Sequence, residues 1–243
     1  MATFLPFGER PNREGVEYVK RLLEREGLVD EAKVISAGNL RALREKLVGD
    51  CCYVVGEHLA TYAILDLLRP SSVISVDAHT DLMHDYLDHG SWLAYALENN
   101  PNLRAAVFGP VLMIPTTPRT QLWTRRVRIF PALQRTRRTG RGWKAYTSIR
   151  PSPARAISKA KEYLGEEVYL TVDMDVLRPE YGIARFQHGE LDLDELLDLL
   201  GGILENFRVR AFDIAEISAR IKRSKKGKRA VVEVFSLLRE GVE

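Results

Sequence analysis

The chain is expected to fold as a three-layer α/β/α protein around a mostly parallel sheet, and three observations lead there. Short apolar runs alternate with stretches of helical periodicity from one end of the chain to the other. The runs Ser72-Val73-Ile74-Ser75-Val76 and Val168-Tyr169-Leu170-Thr171-Val172 are apolar and largely β-branched, as strands buried on both faces are. Each then ends in spaced carboxylates, Asp77-Ala78-His79-Thr80-Asp81 and Asp173-Met174-Asp175, at the sheet edge where open α/β folds keep their sites.

Taken in order, Phe4 to Phe7 reads as a first strand. In Glu17 to Glu26, residues Tyr18, Val19, Leu22 and Leu23 share one helical face and Gly27 provides the stop. Lys33 to Ser36 is a strand, Leu40 to Leu47 a helix, Cys52 to Val55 a strand, and Leu59 to Leu68 a helix closed by Pro70. After the Val73 to Val76 strand come a helix from Trp92 to Leu97 and strands from Ala105 to Phe108 and Val127 to Phe130. Pro153 opens a helix to Leu164. Following the Val168 to Val172 strand, Asp192-Leu193-Asp194-Glu195 has the pattern of a capping box and starts a helix to Leu204. Val209 to Ile214 is the last strand and Ala230 to Arg239 the closing helix. The basic stretch from Pro115 to Arg150 is the least periodic part and reads as a long loop. Residues 1–243 are therefore expected to form one domain.

Composition narrows the class. At 45% hydrophobic and 28% charged, the 243 residues suit a soluble protein with a proper core. No apolar run approaches the roughly 20 residues that span a bilayer, and Met1 to Phe7 lacks the basic and apolar regions of a signal peptide. No membrane partner is expected. The two cysteines, Cys51 and Cys52, are adjacent on a strand and read as core fillers, which fits a reducing cytoplasm. Net charge is +3. The excess is local, from Arg119 to Lys144 and from Arg220 to Arg229, and no nucleic-acid motif accompanies it. It reads as solvated loops or contacts within a homo-oligomer.

Divalent ions want carboxylates and neutral imidazoles with a position left for water. Strand ends offer Gly56-Glu57-His58, then Asp77, His79 and Asp81, then Asp173 and Asp175. A fourth strand runs through Asp213-Ile214-Ala215 to Glu216. Two strands ending in paired carboxylates suggest a site for more than one ion. Alone, Asp77 also reads as a helix N-cap and His58 as a core histidine.

Together and in order, these segments resemble the ureohydrolase family of arginases and agmatinases. Gly56-Glu57-His58 is similar to the family's G-D-H. Asp77 to Asp81 matches D-A-H-x-D. Asp85-Tyr86-Leu87-Asp88-His89-Gly90 looks like the D-H-G segment of agmatinases. Thr171 to Asp175 resembles S-x-D-x-D, and Asp213 to Glu216 resembles D-I-V-E. The resemblance implies the arginase/deacetylase-like fold and two Mn2+ per chain. His58, Asp77, Asp81 and Asp173 would hold one ion, and His79, Asp77, Asp173 and Asp175 the other. Asp81 would also orient the attacking water, His89 would shuttle a proton, and Glu216 would pair with the guanidinium of a small substrate. Hydrolysis would release urea and an amine.

The loop from Val176 to Glu190 departs from the family. Ile183-Ala184-Arg185-Phe186-Gln187-His188 stands where a T-G-T-P run is usual. Agmatine is the default substrate, its methylene chain suiting Leu82, Met83 and Trp92. Arg178 and Arg185, expected near the mouth, would instead suit a guanidino acid. A zinc deacetylase-like amidohydrolase and a non-catalytic metal-binding relative are the other readings. His84 and His188 have no motif role.

Overall fold

The computed structural model describes residues 1–83, 86–111, 125–139 and 142–242. Its elements run β1 (Ala2–Leu5), α1 (Arg10–Arg25), β2 (Ala32–Val34), α2 (Leu40–Lys46), β3 (Cys52–Val55), α3 (Leu59–Leu68), β4 (Ser72–Val76) and α4 (Trp92–Asn99). Then come β5 (Arg104–Phe108), β6 (Val127–Phe130), β7 (Thr136–Thr139), β8 (Gly142–Ala145), α5 (Ala154–Leu164), β9 (Glu167–Asp173), α6 (Leu193–Asn206), β10 (Arg208–Ala215) and α7 (Lys225–Gly241). Eight strands form one sheet in the order β2-β1-β3-β10-β9-β4-β5-β6, and every neighbouring pair is parallel.

The sheet has an apolar core on each face, as the alternation of side chains along strands requires. Phe4, Val54, Ile74, Leu170 and Phe212 pack with α1, α5, α6 and α7 on one side. Leu5, Tyr53, Val55, Val73 and Tyr169 pack with α2, α3 and α4 on the other. This is the three-layer α/β/α architecture that the strand–helix alternation predicts. Each fully buried Val, Leu or Ile adds about 1.5–3 kcal/mol, and these cores offset the cost of holding charged groups at the sheet edge.

Most boundaries fall within a residue or two of expectation, and the α6 capping box between Asp192 and Glu195 is present in both directions. Two helices start earlier than apolar periodicity indicates. The first turn of α1 is polar but carries Pro11, and its buried Asn12 donates to the Gly56 carbonyl at 2.7 Å. The Lys-rich start of α7 is capped by Ser224, whose hydroxyl accepts the Gly227 N–H. Within the basic stretch, β7 and β8 pair antiparallel, an element that its weak periodicity conceals. Residues 112–124 and 140–141 of that stretch lie outside the described residues. Cys52 is buried as expected. Cys51 is exposed, because the strand begins only after it. Among the described residues, no helix is long and apolar enough to cross a membrane.

Register aligns the strand ends. Val54, Ile214, Val172 and Val76 lie side by side across β3, β10, β9 and β4. The chain therefore leaves four adjacent strands at one level, just before His58, Glu216, Asp173 and Asp77. Gly56 permits the close turn after β3, since a Cβ there would lie 2.4 Å from the Phe7 carbonyl oxygen.

Candidate metal centre

Two imidazoles and four aspartates converge at this edge. His58 Nδ1 lies 3.1 Å from Asp173 Oδ2, 3.3 Å from Asp81 Oδ2 and 3.4 Å from Asp77 Oδ2. His79 Nδ1 lies 2.8 Å from Asp175 Oδ2 and 3.5 Å from Asp77 Oδ1. Asp77 thus presents one oxygen to each imidazole. Two donor groups result, His58 with Asp77 and Asp81, and Asp77 with His79 and Asp175. All of these carboxylates and His58 are buried, while His79 is partly open.

The side chains are fixed from behind. Asp77 Oδ1 accepts the His79 N–H at 2.6 Å, Asp173 Oδ1 accepts the Asp175 N–H at 2.8 Å, and Asp175 Oδ1 accepts the Ala78 N–H at 3.1 Å. The Trp92 indole N–H donates to Asp81 Oδ2 at 2.5 Å. His58 Nε2 meets the Thr171 hydroxyl at 2.8 Å, and that hydroxyl donates to Asp213. Asp77, His79 and Asp81 are not strung along extended backbone. The chain turns after Asp77, and Asp81 adopts φ +49°, so a tight loop gathers them. Glu216 has φ +58°. Left-handed backbone at non-glycine residues costs about 1–3 kcal/mol and collects at functional sites.

The electrostatics call for positive charge. Burial works against an ionised His58, yet Asp173, Asp81 and Asp77 outweigh it and hold its pKa well above the ordinary histidine range. For His79, burial is likewise outweighed, by Asp175 and Asp77, and the pKa is pushed up to about 12. Burial and then Asp81 raise Asp77 to about 6. Burial and then Asp173 raise Asp175 well above the carboxylate range, and Glu216 is lifted to about 8 by burial and Asp173. Protons or metal ions must balance these carboxylates. His58 Nδ1 and Asp77 Oδ2 are buried with no hydrogen-bond partner and face the same point. Orphaned donor atoms aimed at each other across carboxylate oxygens fit a divalent cation.

The cluster forms the floor of an open cleft of about 300 Å³. Met83, His89, Phe186, His188 and Glu216 line it with the ligand-type residues. His89 stacks on Phe186, with ring centroids 6.0 Å apart and planes within 12°. Glu216 Oε1 accepts the His58 backbone N–H at 2.9 Å. Every sequence-predicted site residue therefore reaches this one edge. Asp85 and His84 lie outside the described residues.

Several neighbours take other places than the sequence suggests. Trp92 is wholly buried against His58 and is not a cleft wall, and Leu82 belongs to the core. Arg178 turns away from the cleft toward Glu190, Asp192 and Glu195. Arg185 pairs with Glu9 at 2.9 Å and lies over Phe186. His188, without a motif role, lines the cleft with its ring edge-on to His79 at 6.1 Å. Gln187, which motif reading passes over, holds the loop. Its buried amide accepts the N–H groups of Ile183 and Ala184 and donates to the Met174 and Leu177 carbonyls. Gly189 lets this loop press on the turn that follows β9, since a Cβ would sit 1.8 Å from the Val176 oxygen.

Fold and cluster together define an α/β/α protein whose central strand ends carry a donor set suited to divalent cations. The model of the arginase family matches residues 33–238, and the chain belongs to that family. It is 27% identical over 198 residues to an agmatinase of Pyrococcus horikoshii, which covers 78% of this chain and 60% of that relative's length. Its fold matches Helicobacter pylori arginase with a TM-score of 0.73 at 16% identity, covering 99% of each chain. The proclavaminate amidino hydrolase of Streptomyces clavuligerus matches with a TM-score of 0.70 at 16% identity, over 99% of this chain and 91% of that one.

Proposed function

We propose that the protein is a binuclear manganese hydrolase of a linear guanidino compound, with agmatine as the first substrate, and that it releases urea. The observation that carries this reading is Asp77 with one oxygen toward His58 and the other toward His79, both of which line an open cleft. His58, Asp77, Asp81 and Asp173 would hold one ion, and His79, Asp77, Asp173 and Asp175 the other. Such a pair supplies an acidified water and electrophilic charge.

The chain's own groups do the rest. The Glu216 carboxylate keeps one oxygen on the His58 N–H and offers the other to a guanidinium, a charge-assisted contact of the strong kind. Asp81, held by Trp92, orients the water that attacks the guanidinium carbon. As the carbon–nitrogen bond breaks, His89 delivers a proton to the leaving amine. Met83 and Phe186 give a methylene chain an apolar wall.

Among the described residues, no arginine or lysine lines the cleft, and Arg185 is engaged by Glu9. That favours a neutral or cationic tail over a carboxylate. Two donor groups sharing Asp77 exceed what a one-ion deacetylase needs. A panel of guanidino compounds assayed for urea with added manganese tests the reading. Agmatine is expected to lead, and no urea from any member with manganese bound would leave a non-catalytic relative.

A further inference from the structure

Trp92 occupies an unusual position for a fully buried tryptophan. It is the first residue of α4, three residues after His89, yet it reaches back to two other segments. Its indole N–H donates to Asp81 Oδ2 at 2.5 Å. Its ring lies against the His58 imidazole, centroids 4.6 Å apart and planes inclined at 39°. The same helix turn also holds the Asp81 backbone, because the Ala94 N–H donates to the Asp81 carbonyl at 3.2 Å. Asp81 needs such restraint, since its φ of +49° is unfavourable for a residue with a side chain.

From this geometry we infer that Trp92 is a positioning residue for one of the two cation sites. It fixes the carboxylate of Asp81 by a hydrogen bond and the ring of His58 by packing, and so organises the site these two share. Neither the hydrogen bond nor the ring packing of Trp92 goes to His79 or Asp175, which belong to the other donor group. Its influence is therefore one-sided. A buried indole N–H without an acceptor is costly, so Asp81 and Trp92 hold each other in place. Helix α4 thereby ties the metal cluster to the turn that carries His89. That turn is itself fixed by Ser91, whose hydroxyl accepts the Asp88 N–H and donates to the Tyr86 carbonyl.

The inference rests on the binuclear reading, and metal titration separates the two. Trp92→Phe keeps a ring against His58 and removes the N–H. Manganese titration by calorimetry on the full chain should show one of two sites weakened roughly 10–100-fold, the usual effect of losing an outer-shell partner, with the other unchanged. A purely structural defect would weaken both alike, and that outcome overturns the inference, as does no change in either. A parent protein that binds no manganese removes the binuclear reading and this inference with it.

A second measurement leaves Trp92 in place. The chain has three tryptophans, so a Trp123→Phe/Trp143→Phe protein emits from Trp92 alone. Paramagnetic manganese should quench that emission in step with occupancy of one site. Emission unaffected by bound manganese would overturn the inference.

Discussion

Glu216 accepts the backbone N–H of His58 across 158 positions of sequence, at 2.9 Å. The bond joins the ends of β3 and β10, neighbours in the sheet, and commits Oε1 of the carboxylate to the protein. The other oxygen takes no part in that bond and is open to a ligand. Burial and Asp173 raise this carboxyl to about 8, so a cation in the cleft has a strong effect on its charge.

Replacing Glu216 therefore separates binding from metal retention. In Glu216→Gln the amide oxygen still accepts the His58 N–H, while the negative charge is gone. Removing one partner of a desolvated charge pair costs roughly 2–5 kcal/mol. Steady-state kinetics should show kcat/KM falling by that amount for every guanidino substrate, with manganese content unchanged. Loss of manganese would make Glu216 a support for His58 and no guanidinium anchor.

Asp173 and His89 should fail differently. Asp173 lies 3.1 Å from His58 and its other oxygen fixes the Asp175 N–H, so Asp173→Ala disturbs both donor groups. It should lose activity and bound manganese together. His89 lines the same cleft and stacks on Phe186. His89→Ala should keep its manganese and turn over about 10²–10⁴-fold more slowly. Elemental analysis beside kcat decides, and a His89→Ala protein without metal would place the residue among the ligands' supports.

The strand ends were readable because their signal is local. An apolar β-branched run followed by Asp77 or Asp173 is complete within ten residues, and strand register then lines such ends up without further instruction. What stayed hidden depends on distant partners. Trp92 looks like one more apolar residue of α4 until Asp81, eleven residues back, accepts its N–H. Gln187 is a polar loop residue whose meaning lies in the carbonyls of Met174 and Leu177. The polar first turns of α1 and α7 carry no apolar period, because capping, proline and Asn12 establish them.

Arg185 belongs to the loop that departs from the family pattern, and its charge is already paired. Its guanidinium lies 2.9 Å from Glu9 and over the Phe186 ring. A partly exposed pair of this kind is worth little to stability. Arg185→Ala should leave kcat/KM nearly unchanged for agmatine and for a guanidino acid alike. A selective loss on the acid would show that the arginine swings into the cleft to hold a carboxylate.

Protons and metal ions should compete for the cluster, and the sign follows from the pKa shifts. Glu216 at about 8 and Asp77 at about 6 are raised, so the folded protein keeps protons that the unfolded chain releases near pH 4. His79, raised to about 12, keeps its proton where the unfolded chain loses it near pH 6.5. In every case the native state binds more protons, so stability falls as pH rises. For Asp77 and Glu216 the loss runs from about pH 4 up to their folded values. For His79 it begins near pH 6.5 and continues toward 12. Protein stripped of metal should thus show a melting temperature that declines from pH 6 to pH 9. Manganese held by these residues would need deprotonated imidazoles and carboxylates, so its binding would release protons and replace their charge. The rise in melting temperature on adding manganese should consequently be larger at pH 9 than at pH 6. Titration in buffers of different ionisation enthalpy should register protons released per ion bound. An equal or smaller metal-induced rise at pH 9, with no buffer dependence of the heat, would mean that manganese binds elsewhere than among His58, Asp77 and His79.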